Sequence, residues 1–327
     1  DERRAAQKKP QILALRLYLY GFSRGAAQAR TFCNWLLELT RTSSPDGETV
    51  YRFAGLPISI EFLGLFDTVA AVGLVDSVPF AAGHMGWADD SMRLPDEDTR
   101  LPEDRQFLRR CVHLVSAHEQ RASFPLDSIR RCDRNADGSL ARHSRYRLAT
   151  LEYVYPGMHS DVGGGYPAGD QGKAIEAPLL LSQVALHHMY REAFVAGAPL
   201  KVQREVVPHD MDKAESRLLT MDDDSEREFL VAPLVISRFN AWQTQAADCA
   251  KAPLEDVVAR ETELITGWRI ARYHGGVDST GFFRRIGAED ESDDVRAAKQ
   301  RTTGFQQQLK TECPMFGPDS RRTQRGQ

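Results

Sequence analysis

The sequence feature that most constrains the fold is the stretch 12–30, ILALRLYLYGFSRGAAQAR, where an apolar run ends at a G-x-S-x-G sequence. The run is broken only by Arg16, which is typical of a parallel strand buried on both faces. Ser23 then occupies a strained turn of the kind that exposes a nucleophile, although a serine there is also a common helix cap. A helix is predicted next, with Arg30, Asn34 and Glu38 on its outer side and an apolar face of Ala26, Ala29, Phe32, Cys33, Leu36 and Leu37.

A carboxylate ends the next predicted strand. Residues 58–67, ISIEFLGLFD, are apolar almost throughout and finish on Asp67. An Asp at the carboxyl tip of a strand beside the elbow strand is placed to hold an imidazole N–H and fix its tautomer. The alternative is that Asp67 caps the segment that follows it.

A histidine follows a later predicted strand. Residues 147–166, RLATLEYVYPGMHSDVGGGY, predict a strand that ends near Tyr155 and a loop that carries His159 and Asp161. A loop in this place delivers the general base in the chain order Ser, Asp, His, so His159 is the candidate base. Asp161 either orients nearby N–H groups or replaces Asp67 as the acid. The glycine run at 163–165 permits close backbone approach or forms a turn without a chemical role.

Helical spacing also appears in four stretches away from these motifs. Apolar side chains at positions 107, 108, 111, 114 and 115 predict a helix over 105–118 that covers the sheet. Similar patterns predict helices over 179–196, 254–272 and 295–309. The first two stretches supply helical layers for the parallel sheet, and the last two belong to a C-terminal extension.

Strands and helices together predict an α/β-hydrolase-like fold, which is a doubly wound, mainly parallel sheet with helices on both faces. Residues 1–200 form this core, and residues 201–327 form a mostly helical extension with acidic loops. Only residues 1–12 precede the first predicted strand, so we expect the core to lack its first strands. The first oxyanion donor is then the backbone N–H of Arg24, and the second is expected upstream of Asp1 or on another chain.

Composition narrows the class of protein further. The 327 residues are 42% hydrophobic and 27% charged, as in ordinary soluble proteins. A net charge of −4 without a Lys/Arg-rich tract argues against a nucleic-acid partner. No apolar run is long enough to span a bilayer, and the first residues, DERR, do not open a signal peptide. The five cysteines include no C-x-x-C pair, which indicates reduced thiols.

A long apolar stretch follows Asp67. Residues 69–87 show little periodicity and contain several glycines, so we expect a loop. Such a loop beside a reactive centre suits an acyl-chain site or a lid, or it packs on the core. Its candidate lipid-contacting side chains are Leu74, Val78, Phe80 and Trp87.

A short acidic segment resembles half of a calcium-binding loop. Asp133, Asn135 and Asp137 provide oxygen ligands at alternate positions, and Gly138 follows them. Ser144 stands where the bidentate Glu of such a loop belongs. The segment is therefore a weak Ca²⁺ candidate or a plain polar turn, and the predicted chemistry requires no cofactor.

Four longer motifs carry a resemblance to one family. GFSRGAAQAR, FLGLFDTVAAVG, HLVSAHEQRASFPL and YPGMHSDVGGGY, which all lie within residues 13–197, resemble the α/β-hydrolase domain of bacterial type VI secretion phospholipase effectors of the first lipase-effector class. The resemblance implies a phospholipase A with Ser23 as nucleophile, Asp67 as acid and His159 as base. Many relatives have an Asp where this chain has His118, so His118 is expected to support the site, with a structural salt bridge among His118, Glu119 and Arg121 as the other interpretation.

The same resemblance implies how such a protein works in the cell. It implies synthesis in the bacterial cytoplasm, delivery by a type VI spike protein and action on membrane phospholipids at the periplasmic side of the target cell. It also implies an antibacterial role, a cognate immunity protein and a C-terminal region that associates with a membrane or a partner. The acyl position that is cleaved and the head-group preference stay open.

Two other functions remain compatible with the residues. A soluble carboxylesterase, or another serine hydrolase that does not act on membranes, would use the same three side chains with a different pocket. A non-catalytic binding module is the third interpretation, and only the missing upstream strands favour it.

Overall fold

A mostly parallel sheet forms the centre of the chain in the computed structural model, which describes residues 11–70, 94, 101–102, 105–121, 124–131, 146–170, 174–246, 252–275, 296, 300, 303, 304 and 307. Its strands in these ranges are β1 (Leu15–Phe22), β2 (Arg41–Ser43), β3 (Thr49–Phe53), β4 (Leu56–Phe66), β5 (Cys111–Ser116) and β6 (Thr150–Tyr155). Strands β1, β4, β5 and β6 pair in parallel in that order. Strands β2 and β3 form an antiparallel hairpin that continues onto the start of β4.

Helices lie on both faces of this sheet and beyond it. They are α1 (Arg24–Thr40), α2 (His159–Gly163), α3 (Ser182–Val195), α4 (Lys213–Leu219), α5 (Asp223–Glu228), α6 (Pro233–Ala246) and α7 (Leu254–Gly275). Helices α1 and α3 pack on opposite faces of the sheet, and helices α4 to α7 follow in the C-terminal part of the chain. The predicted α/β architecture with C-terminal helices is confirmed at this level. No helix within the described ranges is long and apolar enough to cross a membrane.

Two apolar clusters hold the helical layers to the sheet. The first joins α1 to one face through Ala26, Cys33, Leu36, Leu37, Ile60, Leu63 and Leu65. The second joins α3 to the other face through Phe62, Val112, Leu114, Ala185, Met189 and Ala193. Because side chains alternate along a strand, β4 contributes to both clusters and is buried on both sides. Each large side chain removed from water in this way contributes on the order of 1.5–3 kcal/mol.

The prediction of a helix over residues 105–118 is wrong, because this segment contains the strand β5. All six residues of β5 are buried, and it pairs with β4 on one side and β6 on the other. The apolar run CVHLVS is short enough to be a strand buried on both faces, and helical spacing within so short a run is ambiguous. The segment therefore lies inside the sheet and does not cover it.

Arg30 also lies on the opposite side of α1 from the one predicted. It is only 5% exposed. Its Nη1 donates to the carbonyl oxygen of Asp127 at 2.9 Å, and its Nη2 donates to that of Ser128 at 3.2 Å. The guanidinium therefore ties the segment 124–131 to α1, while Phe32, predicted to face the core, is 44% exposed.

Strand β1 is less buried than its sequence predicts. Tyr20 is 45% exposed, and most residues of the strand are only partly buried. Within the described residues β1 pairs with β4 alone, so its second edge has no paired strand there. Part of its apolar surface is exposed for this reason.

A buried carboxylate joins several of these elements. Glu152 of β6 binds His113 Nδ1 of β5 at 2.8 Å and accepts from the Ile129 N–H at 2.9 Å. It also accepts from Ser128 Oγ and Tyr146 Oη, at 2.7 and 2.9 Å. Burial alone raises the pKa of Glu152, but the hydrogen bonds from His113, Ile129 and Ser128 outweigh it and lower the pKa to about 2.

We predict an acid-dependent loss of stability from Glu152. Because its folded pKa is below the unfolded value, its contribution is fully present above the unfolded pKa of about 4.3 and is lost as the pH falls towards 2. Glu152→Gln should therefore be less stable than wild type at pH 6 by on the order of 3 kcal/mol. This difference should shrink between pH 4.5 and the folded pKa of about 2 in urea titrations.

Ser128→Ala is the matched control, since it removes one hydrogen bond to Glu152 and keeps the carboxylate. It should show a smaller loss of stability with the same pH trend. A difference between wild type and Glu152→Gln that stays constant from pH 6 to pH 3 would contradict the assignment.

Candidate active site

Ser23 occupies the sharp turn between β1 and α1. Its backbone has φ 57° and ψ −125°, a conformation that is strained for a residue with a side chain. The Ser23 N–H donates to the carbonyl oxygen of Phe66 at 3.0 Å, and its own carbonyl oxygen accepts from Ala26 and Ala27 at the start of the helix. Its side chain makes no capping hydrogen bond. The hydroxyl therefore does not serve α1 as a cap.

The two glycines that flank Ser23 have different roles. A Cβ at position 21 would lie 2.4 Å from the Gly25 carbonyl oxygen and 2.6 Å from Ala26 Cα, so only glycine fits where strand and helix touch. A Cβ at Gly25 would meet nothing within 4 Å. Gly163 allows a second close approach, since a Cβ there would lie 2.0 Å from the Phe22 ring.

Asp67 follows β4 as Ser23 follows β1. Phe22 pairs with Phe66 in the β1–β4 register, so the next residues, Ser23 and Asp67, emerge side by side at the carboxyl edge of the sheet. Asp67 is 2% exposed. Its Oδ1 accepts from the Ser116 N–H and its Oδ2 from Ser116 Oγ, both at 2.7 Å. The carboxylate is thus anchored from the end of the neighbouring strand.

His159 lies against this carboxylate. Its Nδ1 is 2.7 Å from Asp67 Oδ2, so Asp67 has the position of an acid that orients an imidazole. The imidazole is 3% exposed and lies between two aromatic rings, with centroid distances of 4.5 Å to Phe22 and 4.9 Å to Phe124. Since Phe22 precedes Ser23, this contact places His159 beside the elbow.

The other imidazole nitrogen is not hydrogen-bonded. His159 Nε2 is buried and has no hydrogen-bond partner within the described residues. A hydrogen bond from Ser23 Oγ to Nε2 is therefore not formed in this structure. In unliganded sites such bonds are often long and shorten when substrate binds.

Asp161 and His118 occupy other positions near the imidazole. Asp161 Oδ2 accepts from the Met158 N–H at 2.8 Å, which is the orienting role that the sequence left open for it. His118 contacts neither Asp67 nor the imidazole of His159 through a hydrogen bond. It binds Gly157 and Glu261 instead, at 2.9 Å each.

Glu119 and Arg121 form the ion pair that the sequence suggested, with Arg121 Nη2 to Glu119 Oε2 at 2.7 Å. Glu119 Oε2 also accepts a hydrogen bond from the backbone N–H of His159 at 3.3 Å. The Arg121 guanidinium stacks on the Phe124 ring at 4.1 Å from its centroid. These residues therefore brace the ring that covers His159.

The remaining predicted site residues fall into two groups. Arg24 begins α1, so its N–H lies in the first turn of the helix, where the helix dipole favours negative charge. Outside the described residues lie the loop side chains Leu74, Val78, Phe80 and Trp87 and the calcium candidates Asp133, Asn135 and Asp137. Within the described ranges no group of three or more His, Cys, Asp and Glu side chains is arranged to hold a metal ion.

Several residues that complete this site were not identified from the sequence. Ser116 anchors Asp67, and Phe22 and Phe124 enclose the imidazole. Phe22 could have been identified from the sequence, because it lies within the G-F-S-R-G motif. Ser116 ends a segment that was assigned to a helix, so no pattern marked it as a strand-end residue.

The fold and this site define a class: an α/β protein that carries a serine elbow and an Asp–His pair at one sheet edge. Two family models match the chain in order. The model "T6SS, Phospholipase effector Tle1-like, catalytic domain" matches residues 39–192, and "T6SS, Phospholipase effector Tle1-like, C-terminal domain" matches residues 235–316. The chain belongs to the family of Tle1-like type VI secretion phospholipase effectors, which confirms the resemblance of its motifs.

Solved structures add a longer relative. The crystal structure of an uncharacterized protein from Pseudomonas aeruginosa is 51% identical with a TM-score of 0.73, and the match covers 98% of this chain and 43% of that one. This chain thus spans less than half of that protein's length. The structure of the Tle1 effector bound to the VgrG spike from the Type 6 secretion system is 26% identical over 49% of this chain and 26% of that chain, with a TM-score of 0.31. A comparison with curated proteins finds no match.

The elbow geometry predicts opposite outcomes for its two glycines. Gly21→Ala should destabilise the protein by about 1–3 kcal/mol or more, because the new methyl group would overlap helix backbone that cannot move aside. Gly25→Ala should be neutral or stabilising by up to about 1 kcal/mol, because Ala forms helix better than Gly. Urea unfolding of both variants measures the contrast, and equal destabilisation would contradict the described packing of β1 against α1.

Proposed function

We propose that the chain is the hydrolytic part of a phospholipase A-type effector that cleaves fatty-acyl esters of membrane phospholipids. The observation that carries the proposal is the Asp67–His159 hydrogen bond at 2.7 Å beside a serine held at φ 57°. Strained backbone at a strand-to-helix turn is retained where a side chain must be presented for reaction. Family membership supports a phospholipid substrate over other esters.

In the proposed mechanism, Ser23 Oγ attacks the acyl carbonyl carbon while His159 Nε2 takes the hydroxyl proton. The Nδ1–H of His159 donates to Asp67, which fixes the tautomer and stabilises the imidazolium that forms. The protonated imidazole then gives its proton to the departing lysophospholipid oxygen, which leaves an acyl-enzyme on Ser23. Water that His159 deprotonates then attacks the acyl-enzyme. The fatty acid leaves, and the imidazolium returns its proton to Ser23 Oγ, which restores the hydroxyl.

Negative charge on the carbonyl oxygen needs donors during both steps. The N–H of Arg24 at the start of α1 is the first donor in this proposal, and the helix dipole adds to its effect. The Phe22 and Phe124 rings lower the polarity around the imidazole, which strengthens its hydrogen bond to the carboxylate. Such an environment suits a base that must pass a proton between two oxygen atoms.

We infer the cellular setting from family membership. Type VI effectors are secreted into target cells, and the Tle1 effector of a solved structure is bound to a VgrG spike. We therefore include a spike protein for delivery, a cognate immunity protein and action at the periplasmic side of the target membrane. In this proposal residues 1–200 form an α/β-hydrolase core and residues 201–327 a helical extension that contacts a membrane or a partner.

Replacing the nucleophile tests this proposal. The full chain should release labelled fatty acid from phosphatidylethanolamine vesicles labelled at sn-1 or sn-2, and Ser23→Ala should lower the rate by about 10³-fold or more. Ser44→Ala is the matched control, because Ser44 Oγ only accepts from the Glu48 N–H in the β2–β3 turn. It should keep the wild-type rate.

The other outcomes separate the remaining functions. Hydrolysis of a dispersed short-chain ester without hydrolysis of vesicles would identify a soluble esterase. Absence of hydrolysis of any ester by the wild-type chain would favour a binding module. Wild-type hydrolysis by Ser23→Ala would show that another residue is the nucleophile.

A further inference from the structure

Helix α7 carries a carboxylate that reaches towards the proposed site. Glu261 is only 6% exposed, which is costly for a charged group unless it is well hydrogen-bonded. Its Oε2 lies 2.9 Å from His118 Nε2 and 3.1 Å from Trp242 Nε1 of α6. One oxygen of Glu261 therefore joins two C-terminal helices to the residues that follow β5.

His118 transmits this contact to the segment that carries the histidine base. Its Nδ1 accepts from the Gly157 N–H at 2.9 Å, and the backbone N–H of His118 donates to the Gly157 carbonyl oxygen at 3.0 Å. Because Nδ1 is an acceptor here, the proton resides on Nε2 and is donated to Glu261. The carboxylate thus selects the tautomer that can hold Gly157.

Three consecutive backbone N–H groups lead from this contact to the base. The N–H of Gly157 donates to His118 Nδ1, that of Met158 to Asp161 Oδ2 and that of His159 to Glu119 Oε2. The segment 157–159 follows the end of β6, so side chains take the place of the strand ladder. Two of the three acceptors belong to residues 118–119.

Residues 118–120 are themselves held by α7. Besides Glu261, the helix contributes Thr266, whose Oγ1 lies 3.3 Å from Gln120 Nε2, and Arg269, which donates to Gln120 Oε1. The acceptors that place Gly157 and His159 are therefore on a segment that contacts one helix face at several points. A displacement of about 1 Å at a catalytic group can cost about 100-fold in rate.

We propose that Glu261 is a positioning residue for the hydrolytic reaction. Glu261 acts through His118 and Gly157 to hold His159 beside Ser23. The inference rests on the proposed function. It makes the C-terminal helices part of the active site's support, so their effect on turnover extends to substrates that never meet a membrane.

The chain offers a matched control on the same helix. Glu255 of α7, whose side chain is 58% exposed, pairs with Arg130 of the segment 124–131, and this contact holds no residue of the 157–159 segment. Loss of Glu255 weakens the attachment of α7 without removing the His118 acceptor. Comparing Glu261→Ala with Glu255→Ala therefore separates positioning of His159 from general attachment of the helix.

The experiment measures kcat and KM on a water-soluble short-chain p-nitrophenyl ester with the full chain. Glu261→Ala should lower kcat about 10-fold or more with KM changed less than about twofold, since the change acts on the placement of the base and removes no proposed substrate contact. Glu261→Gln should recover kcat to within about threefold, because its carbonyl oxygen can accept from both donors. Glu255→Ala should keep kcat within about twofold of wild type.

A double-mutant cycle tests the route. Glu261→Ala and His118→Leu should each lower kcat, and the double variant should lose no more than the larger single loss, because both act through one contact. If Glu261→Ala melts below the assay temperature, His118→Leu decides, since Leu fills the space without either hydrogen bond.

Three results would overturn the inference: wild-type kcat in folded Glu261→Ala or His118→Leu, equal losses in Glu261→Ala and Glu255→Ala, or additive losses in the cycle. The role of Ser23 as nucleophile is tested separately, by comparing wild type with Ser23→Ala on the same ester, and the phospholipid substrate is tested on the phosphatidylethanolamine vesicles. Activity that depends on Ser23 but not on Glu261 would remove the positioning role alone.

Discussion

Parallel pairing of β1 with β4 is the constraint on which the site depends. The register that sets Phe22 opposite Phe66 makes both strands end together, and the Ser23 N–H donates to the Phe66 carbonyl oxygen as the last step of that ladder. The chain must then turn sharply in both places, and both Ser23 and Asp67 have positive φ. A shift of one residue in this register would turn every side chain to the opposite face and separate the two groups. Strand pairing therefore determines the distance between the proposed nucleophile and its acid.

Burial of the Asp–His pair follows from the aromatic rings around it. A buried carboxylate must be satisfied by hydrogen bonds, and Asp67 receives them from Ser116 and His159. These hydrogen bonds fix the Asp67 carboxylate in one orientation. The low polarity around the imidazole strengthens the hydrogen bond between Asp67 and His159. The same surroundings leave His159 Nε2 as a buried polar atom without a partner in the described residues. Such an atom is costly to a stable fold and useful at a site that must accept a proton.

The sequence predicted what depends on local order along the chain. Ser23, Asp67 and His159 each follow a strand, as predicted, because strand ends can be read from apolar runs and the turn residues after them. What failed depends on contacts between distant residues. The segment with β5 was assigned to a helix, because a strand buried on both faces has no alternation to distinguish it from a helix of similar composition. Arg30 was assigned to the solvent face, because its acceptors, the carbonyl groups of Asp127 and Ser128, lie far away in the sequence.

The same distinction explains why the contacts that support His159 could be predicted only in part. Inside β6, the N–H groups that point towards β5 bond to that strand, but the N–H groups of Gly157, Met158 and His159 bond to the side chains of His118, Asp161 and Glu119. Of these acceptors, only Asp161 could be predicted from a local pattern, because it lies three residues after Met158, whose N–H donates to it. The other two acceptors follow β5, which carries them to the same sheet edge as β6. The position of the histidine therefore depends on two strand ends at once, and through the residues after β5 it depends on helix α7. The proposed base is therefore held by many weak contacts, each contributing on the order of 1 kcal/mol, so the precision of its placement is a property of the assembled chain.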